Sequence, residues 1–144
     1  MPKILFLCTG NYYRSRFAEL LFNALAAPAQ LPWQADSRGV ATEFGTGNTG
    51  PISQYALHGL RARGIAIGPV LRFPAQLQER DLAQADLIIA LKEAEHRPCL
   101  ERCFPQWAAN VEYWHVHDLD LASADEALAE VEREVRALLR RLAG

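Results

Sequence analysis

The sequence lacks the features that mark membrane, secreted and nucleic-acid-binding proteins. No apolar run approaches the ~20 residues that a helix needs to span a bilayer, and no small-residue cleavage site of a signal peptide follows Met1. Three cysteines are too few, and odd in number, for the disulfide framework of a secreted domain. A formal net charge of −2 gives no general attraction to nucleic acid or to anionic membranes. We therefore expect a cytoplasmic protein with no nucleic-acid and no membrane partner, in which any anion site is local.

Apolar segments of strand length alternate along the chain with segments of helical periodicity. Strands are predicted at 3–8, 85–91 and 111–116, where the chain is rich in apolar residues, and at 34–37, where Gly39 ends the strand. Helical spacing and helix-end signals predict helices from Ser15 to before Pro28, at 51–63 with Pro51 in the first turn, at 77–84, at 93–102 and after Ser123. This alternation is typical of a parallel sheet covered on both faces. With 144 residues, the chain is predicted to be one domain over residues 1–144.

Two reactive side chains follow strands that are expected to end at the same edge of this sheet. Cys8 is the last residue of the first predicted strand, and Asp118 follows the fourth. Ligands of open parallel sheets bind beyond the carboxyl ends of the strands. The sequence therefore predicts a functional site that contains both Cys8 and Asp118.

The segment between Cys8 and the first helix has the composition of an anion-binding loop. It consists of Thr9, Gly10, Asn11, Tyr12 and Tyr13. Because Gly10 and Asn11 tolerate unusual backbone angles, several N–H groups can point inward, and the helix N-terminus adds further N–H groups and a partial positive charge. Arg14 can close this cradle with a bidentate fork that suits a phosphate-like or sulfate-like anion.

The same surroundings suit a nucleophilic thiolate at Cys8. Electropositive positions near a helix N-terminus favour loss of the thiol proton, and Ser15 is placed to hydrogen-bond the sulfur. A thiolate beneath a bound tetrahedral anion is aligned for in-line attack on phosphorus. In the alternative interpretation, Cys8 is a buried apolar residue and Arg14 a solvated first-turn side chain. The C-x5-R-S spacing, with Gly-Asn inside it, favours the functional interpretation.

The segment CTGNYYRS (8–15) resembles the pattern C-x-G-N-x-x-R-S of the low-molecular-weight protein tyrosine phosphatases and of the related thioredoxin-coupled arsenate reductases. The similarity continues in the segments RFAE (16–19), DSRG (36–39), LRARGI (60–65) and ADLIIAL (85–91). The resemblance implies a phosphocysteine intermediate at Cys8 and phosphoryl binding by Arg14. It also implies that Asn11 and Ser37 hold the loop in shape, and that no metal takes part.

A phosphatase of this kind needs an acid that protonates the leaving oxygen. The family places an aspartate in a D-P segment after the fourth strand, where this chain has WHVHDLDLAS (114–123). Asp118 is the better positional match to that aspartate. Asp120 is a second candidate, because Leu119 replaces the usual proline.

Two loop positions depart from the family pattern. Tyr13 stands where many members have a second cysteine, so that neighbour cannot protect Cys8 by forming a disulfide. Tyr12 stands where the family has an apolar residue beside the substrate slot. It either stacks on an aromatic substrate or packs as an ordinary surface side chain.

Three other patterns suggest different functions. Cys99 and Cys103 could serve a thioredoxin-coupled arsenate reductase, although structural thiols explain them as well. The segment GTGNTG (45–50) spells a dinucleotide motif without the acidic residue that should follow, so we interpret it as a loop bordering the active site. A metal site made from those cysteines with His96, His115 and His117 is weaker still.

These observations together predict a flavodoxin-like three-layer α/β fold, a four-stranded parallel sheet with helices on both faces. The predicted function is a cysteine-dependent phosphatase, without cofactor, that acts on phosphotyrosine proteins or small aryl phosphates. Its catalytic residues would be Cys8, Arg14 and Asp118, and phosphate would bind to the loop 9–15. A thioredoxin-coupled arsenate reductase and a non-catalytic phosphoanion-binding module remain the alternatives.

Overall fold

Four parallel strands form the sheet that carries the predicted site. The computed structural model describes residues 1–45, 47–68, 70–117 and 123–144. The strands are β1 (Lys3–Cys8), β2 (Gln34–Gly39), β3 (Leu87–Ala90) and β4 (Glu112–Tyr113). They lie in the order β2-β1-β3-β4, and each neighbouring pair is parallel. The helices are α1 (Arg14–Ala26), α2 (Gln54–Ala62), α3 (Glu79–Gln84), α4 (Glu93–Cys103), α5 (Pro105–Ala108) and α6 (Ala124–Ala143).

The side chains of β1 alternate between two apolar cores. Ile4 and Phe6 pack into the larger core with residues of α1, α2 and α6. Leu5 and Leu7 pack into the smaller core with residues of α3, α4 and α5. Because a strand sends successive side chains to opposite faces, a central strand of a covered sheet must be apolar on both. The predicted three-layer arrangement of a parallel sheet between helices is confirmed.

The second helix begins later than predicted. Pro51 was expected in its first turn, but α2 starts at Gln54 and Ser53 is the N-cap, whose hydroxyl accepts a hydrogen bond from the Tyr55 amide at 3.1 Å. A serine cap satisfies one of the free N–H groups at the start of a helix. Gly64, just beyond the end of α2, has a φ of +76°, a left-handed conformation that favours glycine.

The fourth strand is shorter than predicted. Residues 111–116 were expected to form it, but β4 contains only Glu112 and Tyr113. The chain beyond β4 still makes hydrogen bonds to the segment after β3: the Val116 amide donates to the Leu91 carbonyl at 2.8 Å, and the Glu93 amide donates to the Trp114 carbonyl at 2.9 Å. These bonds fix the backbone that leads away from β4 at the carboxyl edge of the sheet.

The last helix follows Ser123, as predicted, and begins with a capping box. The Ser123 hydroxyl accepts from the Glu126 amide at 3.2 Å, and the Glu126 carboxylate accepts from the Ser123 amide at 3.4 Å. Its apolar stripe packs on α1 and α2. Within the described ranges, none of the helices is long and apolar enough to cross a bilayer.

Candidate active site

A cleft of about 440 Å³ opens at the carboxyl end of β1, where the loop 9–13 joins β1 to α1. Cys8, Thr9 and Arg14 line its floor, and side chains from other parts of the chain form its walls. Asn11 has a φ of +54°, a conformation that asparagine adopts more readily than most residues. The loop therefore curls around the cleft at the edge of the sheet where ligands of parallel sheets bind.

The Cys8 sulfur lies at the end of a chain of hydrogen bonds. Its Sγ is 2.9 Å from the Ser15 hydroxyl, which in turn accepts a hydrogen bond from Asn11 Nδ2 at 2.8 Å. Asn11 Nδ2 also donates to the Ser37 hydroxyl at 2.9 Å. Because Ser15 already accepts from Asn11, its own proton can point to the sulfur and stabilise a thiolate. The contact expected between Ser15 and Cys8 is therefore present, as are the contacts of Asn11 and Ser37 with the loop.

Arg14, the first residue of α1, is buried with 2% of its surface exposed. Its NH1 and NH2 atoms donate to the two carboxylate oxygens of Glu95 at 3.2 and 3.1 Å. NH1 also donates to the Val116 carbonyl at 3.2 Å. The alternative in which Arg14 extends into solvent is thus wrong, and the guanidinium lies against the cleft.

Glu95 is a residue of this cleft that the sequence analysis missed. It stands in the first turn of α4, and its Oε1 also accepts a hydrogen bond from the Thr9 hydroxyl. Burial alone would raise the pKa of Glu95, but the hydrogen bonds from Arg14 and Thr9 outweigh burial and lower this pKa to about 2. Glu95 is therefore ionised at any physiological pH. The sequence signal available for Glu95 was its position shortly after the end of a predicted strand, which is the same signal that indicated Asp118.

His96, next to Glu95, is fully buried and contacts the same loop. Its Nε2 lies 3.2 Å from the Thr9 hydroxyl oxygen, and its Nδ1 accepts from the Lys92 amide at 3.1 Å. Burial, with a further contribution from the Arg14 charge, lowers the pKa of His96 to about 3. The imidazole is therefore neutral at pH 7, and its contact with Glu95 is not an ion pair.

A polar cluster centred on Arg72 supports the loop. Arg72 NH1 donates to Asn11 Oδ1 at 2.9 Å, and Arg72 NH2 donates to the Ser37 carbonyl at 2.7 Å. The same guanidinium forms ion pairs at 3.3 Å with Glu19 and with Asp36. Arg72, from a part of the chain where no strand or helix was predicted, thus holds both predicted support residues.

Aromatic side chains form the outer walls of the cleft. Phe44 and Tyr55 both line it and are 77% and 47% exposed. Tyr12 faces the cleft as well, and its hydroxyl donates to the Thr49 carbonyl at 2.6 Å. Gly45 and Asn48, from the segment that spells the dinucleotide motif, line the cleft too. That segment is a border of this cleft, as predicted.

The two candidate acids, Asp118 and Asp120, lie outside the described residues. The described chain on either side of them is bound to the loop. Before them, the Val116 carbonyl accepts from Arg14, and after them, the Ala124 carbonyl accepts from the Tyr13 hydroxyl at 3.1 Å. Tyr13 and Arg14, the last loop residue and the first residue of α1, thus bind the described chain on both sides of the predicted acids.

The remaining cysteines lie on α4. Cys99 is half-buried, with Sγ 3.8 Å from the Glu95 carbonyl, and Cys103 is exposed; both are free thiols. His115 and His117 are exposed, whereas His96 is buried beneath the loop. In the parts of the chain that the structure describes, no group of three or more His, Cys, Asp or Glu side chains could hold a metal ion. The metal site considered from the sequence is therefore not assembled by these residues.

Comparison with known proteins gives a consistent result over nearly the whole chain. The family model for "Low molecular weight phosphotyrosine protein phosphatase" matches residues 3–144. A low molecular weight protein-tyrosine-phosphatase of Bacillus subtilis, YfkJ, is 38% identical over 93 residues, which cover 63% of this chain and 56% of that relative. A protein-arginine-phosphatase of the same organism is 32% identical over 108 residues, covering 75% of this chain and 67% of the relative.

A solved structure shows the same architecture. The low molecular weight protein tyrosine phosphatase of T. tengcongensis superposes with a TM-score of 0.80 at 27% identity. The superposition covers 98% of this chain and 99% of that one. The fold therefore matches from end to end, whereas the sequence match to YfkJ spans little more than half of that relative.

Proposed function

Because the chain belongs to the low molecular weight phosphotyrosine protein phosphatase family, we propose that it hydrolyses phosphotyrosine or similar aryl phosphate monoesters through a phosphocysteine intermediate. One observation carries this proposal. The Cys8 sulfur, hydrogen-bonded to Ser15 at 2.9 Å, lies on the floor of a cleft that Arg14 also lines. A nucleophile, its stabilising donor and an anion-binding cation thus meet at the start of α1.

In the first step, Cys8 attacks phosphorus opposite the leaving oxygen. The sulfur–phosphorus bond forms while the phosphorus–oxygen bond to the alcohol breaks, and an acid donates its proton to that oxygen. Backbone amides of the loop, the helix N-terminus and Arg14 bind the three other phosphoryl oxygens, which carry negative charge throughout the transfer. Ser15 is placed to donate a hydrogen bond to the attacking sulfur.

In the second step, water frees the enzyme. The residue that acted as acid now accepts a proton from the water, whose oxygen attacks phosphorus as the sulfur–phosphorus bond breaks. Cys8 leaves as a thiolate, and the Ser15 hydroxyl is placed to donate a hydrogen bond to it. Inorganic phosphate is the second product.

We assign the acid role to Asp118, with Asp120 as the matched comparison two residues away. Asp118→Asn is expected to lower kcat/KM for a phosphotyrosine peptide by about 10²–10⁴-fold, the usual contribution of a positioned acid. The loss is expected to be smaller with p-nitrophenyl phosphate, whose more acidic phenol needs less protonation. Asp120→Asn is expected to remain near the wild-type rate. Steady-state kinetics with both substrates measure this, and the reverse ranking of the two variants would assign the acid to Asp120.

Phosphotyrosine is the expected substrate because the walls of the cleft are aromatic. A phenyl leaving group can stack between Tyr12, Phe44 and Tyr55 while its phosphate rests in the loop. We expect kcat/KM for a phosphotyrosine peptide to exceed that for the matched phosphoserine peptide by about 10-fold or more. A phosphate-release assay on both peptides, with a phosphoarginine peptide as a third arm, measures this preference. A faster reaction with phosphoarginine would instead group the chain with its relative that is a protein-arginine-phosphatase.

The arsenate reductase alternative makes a different prediction in the same assays. It requires electrons to pass from reduced thioredoxin to Cys99 and Cys103, and from them to Cys8, where arsenate is reduced. Arsenate-dependent oxidation of thioredoxin, lost in Cys99→Ser or Cys103→Ser, would support it. A chain that binds phosphate but releases none from any peptide would support the non-catalytic module.

A further inference from the structure

The geometry points to Glu95 as a positioning residue for Arg14: its carboxylate fixes the orientation of the catalytic guanidinium before the phosphoryl group arrives. This inference deepens the proposed function and rests on it. Both oxygens of Glu95 take part, because Oε2 accepts from Arg14 NH1 at 3.2 Å and Oε1 accepts from Arg14 NH2 at 3.1 Å. Paired bonds between a carboxylate and the end of a guanidinium fix its plane as well as its distance.

Glu95 is itself held by a directed chain of hydrogen bonds from α4. His96 Nδ1 accepts from the Lys92 amide at 3.1 Å, so the proton of the neutral imidazole is on Nε2. Nε2 therefore donates to the Thr9 hydroxyl oxygen, 3.2 Å away, and the Thr9 proton is directed to Glu95 Oε1. Each donor in this chain has one acceptor, and the last acceptor is the carboxylate that holds Arg14.

This arrangement has a consequence for transition-state binding. A guanidinium has two edges that can make paired hydrogen bonds, its end (NH1 and NH2) and its side (Nε with one NH2 group). Glu95 accepts from the end edge, so in this proposal the phosphoryl oxygens bind to the side edge. A donor fixed in advance needs no reorganisation when charge develops, and such donors contribute most in the transition state. A carboxylate beside the phosphate also repels it, so Glu95 is expected to favour the transition state over ground-state binding.

The test replaces Glu95 by the isosteric glutamine. Glu95→Gln is expected to lower kcat with p-nitrophenyl phosphate by about 10–100-fold, with a much smaller change in KM. Glu93→Gln is the matched control, because Glu93 is on the same helix and pairs with Arg97 at 2.8 Å on the exposed surface. The control is expected to stay within about twofold of wild type. Thermal melting of each variant corrects the rates for the folded fraction.

A double-mutant cycle separates positioning of Arg14 from general support of the fold. If Glu95 acts through Arg14, Glu95→Gln has little further effect on kcat/KM in the Arg14→Lys background. Equal fold losses from Glu95→Gln in the wild-type and Arg14→Lys backgrounds would overturn the inference.

Anion titration provides a readout that does not need turnover. Vanadate resembles the five-coordinate transition state, whereas inorganic phosphate resembles the product. We expect calorimetry to show about tenfold weaker vanadate binding by Glu95→Gln and a much smaller change for phosphate. Tighter phosphate binding with unchanged vanadate binding would mean that Glu95 only repels the anion, and would overturn the inference. Failure of the wild type to hydrolyse any ester would instead overturn the proposed function, while the vanadate comparison would still test Glu95.

Discussion

Cys8→Ser is expected to abolish hydrolysis of p-nitrophenyl phosphate, with a fall in kcat of about 10⁴-fold or more. The reason is the nucleophile itself. A thiolate is the attacking species of a cysteine nucleophile, and Ser15 lies where it can donate to the Cys8 sulfur, whereas a serine hydroxyl in the same place has no base among the contacts that the structure describes. The substitution changes one buried atom, so the loop and the cleft are expected to persist.

The other two cysteines are the natural controls for this experiment. Cys99→Ser and Cys103→Ser remove thiols on α4, of which the second is exposed, and are expected to leave kcat near the wild-type value. Mass spectrometry of an acid-quenched reaction is expected to find a phosphoryl group on Cys8 in the wild type and in both controls. Wild-type activity in Cys8→Ser would end the case for a phosphocysteine intermediate.

Arg14→Lys is expected to lower kcat/KM by about 10²–10³-fold although the charge is kept. A lysine ammonium is a point charge and cannot make the paired bonds that Arg14 makes to Glu95 together with its bond to the Val116 carbonyl. The phosphoryl group also loses a planar donor that remains in place throughout the transfer. Steady-state kinetics with p-nitrophenyl phosphate measure the loss.

Arg63 offers a matched control for Arg14. It has similar partners far from the cleft, because its Nε donates to Glu132 at 2.7 Å and its NH1 donates to the Gly59 carbonyl at 2.8 Å. Arg63→Lys is expected to affect the melting temperature more than kcat. If both substitutions changed kcat/KM equally, Arg14 would have no special part in catalysis.

The sequence was informative where the chemistry is local. Strand β1 is apolar at every position but its first, and the following loop carries Gly10, Asn11 and Arg14 at a spacing that few other structures require. These residues predicted the cleft, and the contact between Ser15 and Cys8 is where the spacing placed it. The capping box of α6 is a local signal of the same kind, since its two partners are three residues apart.

Residues brought in by tertiary contacts were not predictable in this way. Glu95 is 81 positions from Arg14 and Arg72 is 61 positions from Asn11, and neither stands in a pattern that names its partner. A glutamate in the first turn of a helix is ordinarily explained by the helix dipole alone. An arginine such as Arg72, in a connecting segment that contains Gly68 and Phe73, ordinarily has a solvated side chain.

The errors at element ends have similar causes. Pro51 is a sound signal for the first turn of a helix, but Ser53 offers a hydroxyl cap, and the chain begins α2 after the cap. The apolar pattern of residues 111–116 predicted a strand of six residues, but regular pairing with β3 ends after Tyr113. Periodicity reports which side chains are buried and does not report how far a neighbouring strand extends.

The bonds from Tyr13 and Arg14 to the far end of the chain bear on when the enzyme becomes competent during its synthesis. The carbonyls that the Tyr13 and Arg14 side chains bind lie 111 and 102 positions further along the chain than these two residues. Contacts of such sequence separation form late, because the intervening chain must first be ordered. A nascent chain that has emerged only as far as β3 therefore carries Cys8 and Ser15, but it lacks the two carbonyls that hold Tyr13 and Arg14. Phosphatase activity at Cys8 is therefore expected to arise only after the residues that hold Tyr13 and Arg14 have folded against them.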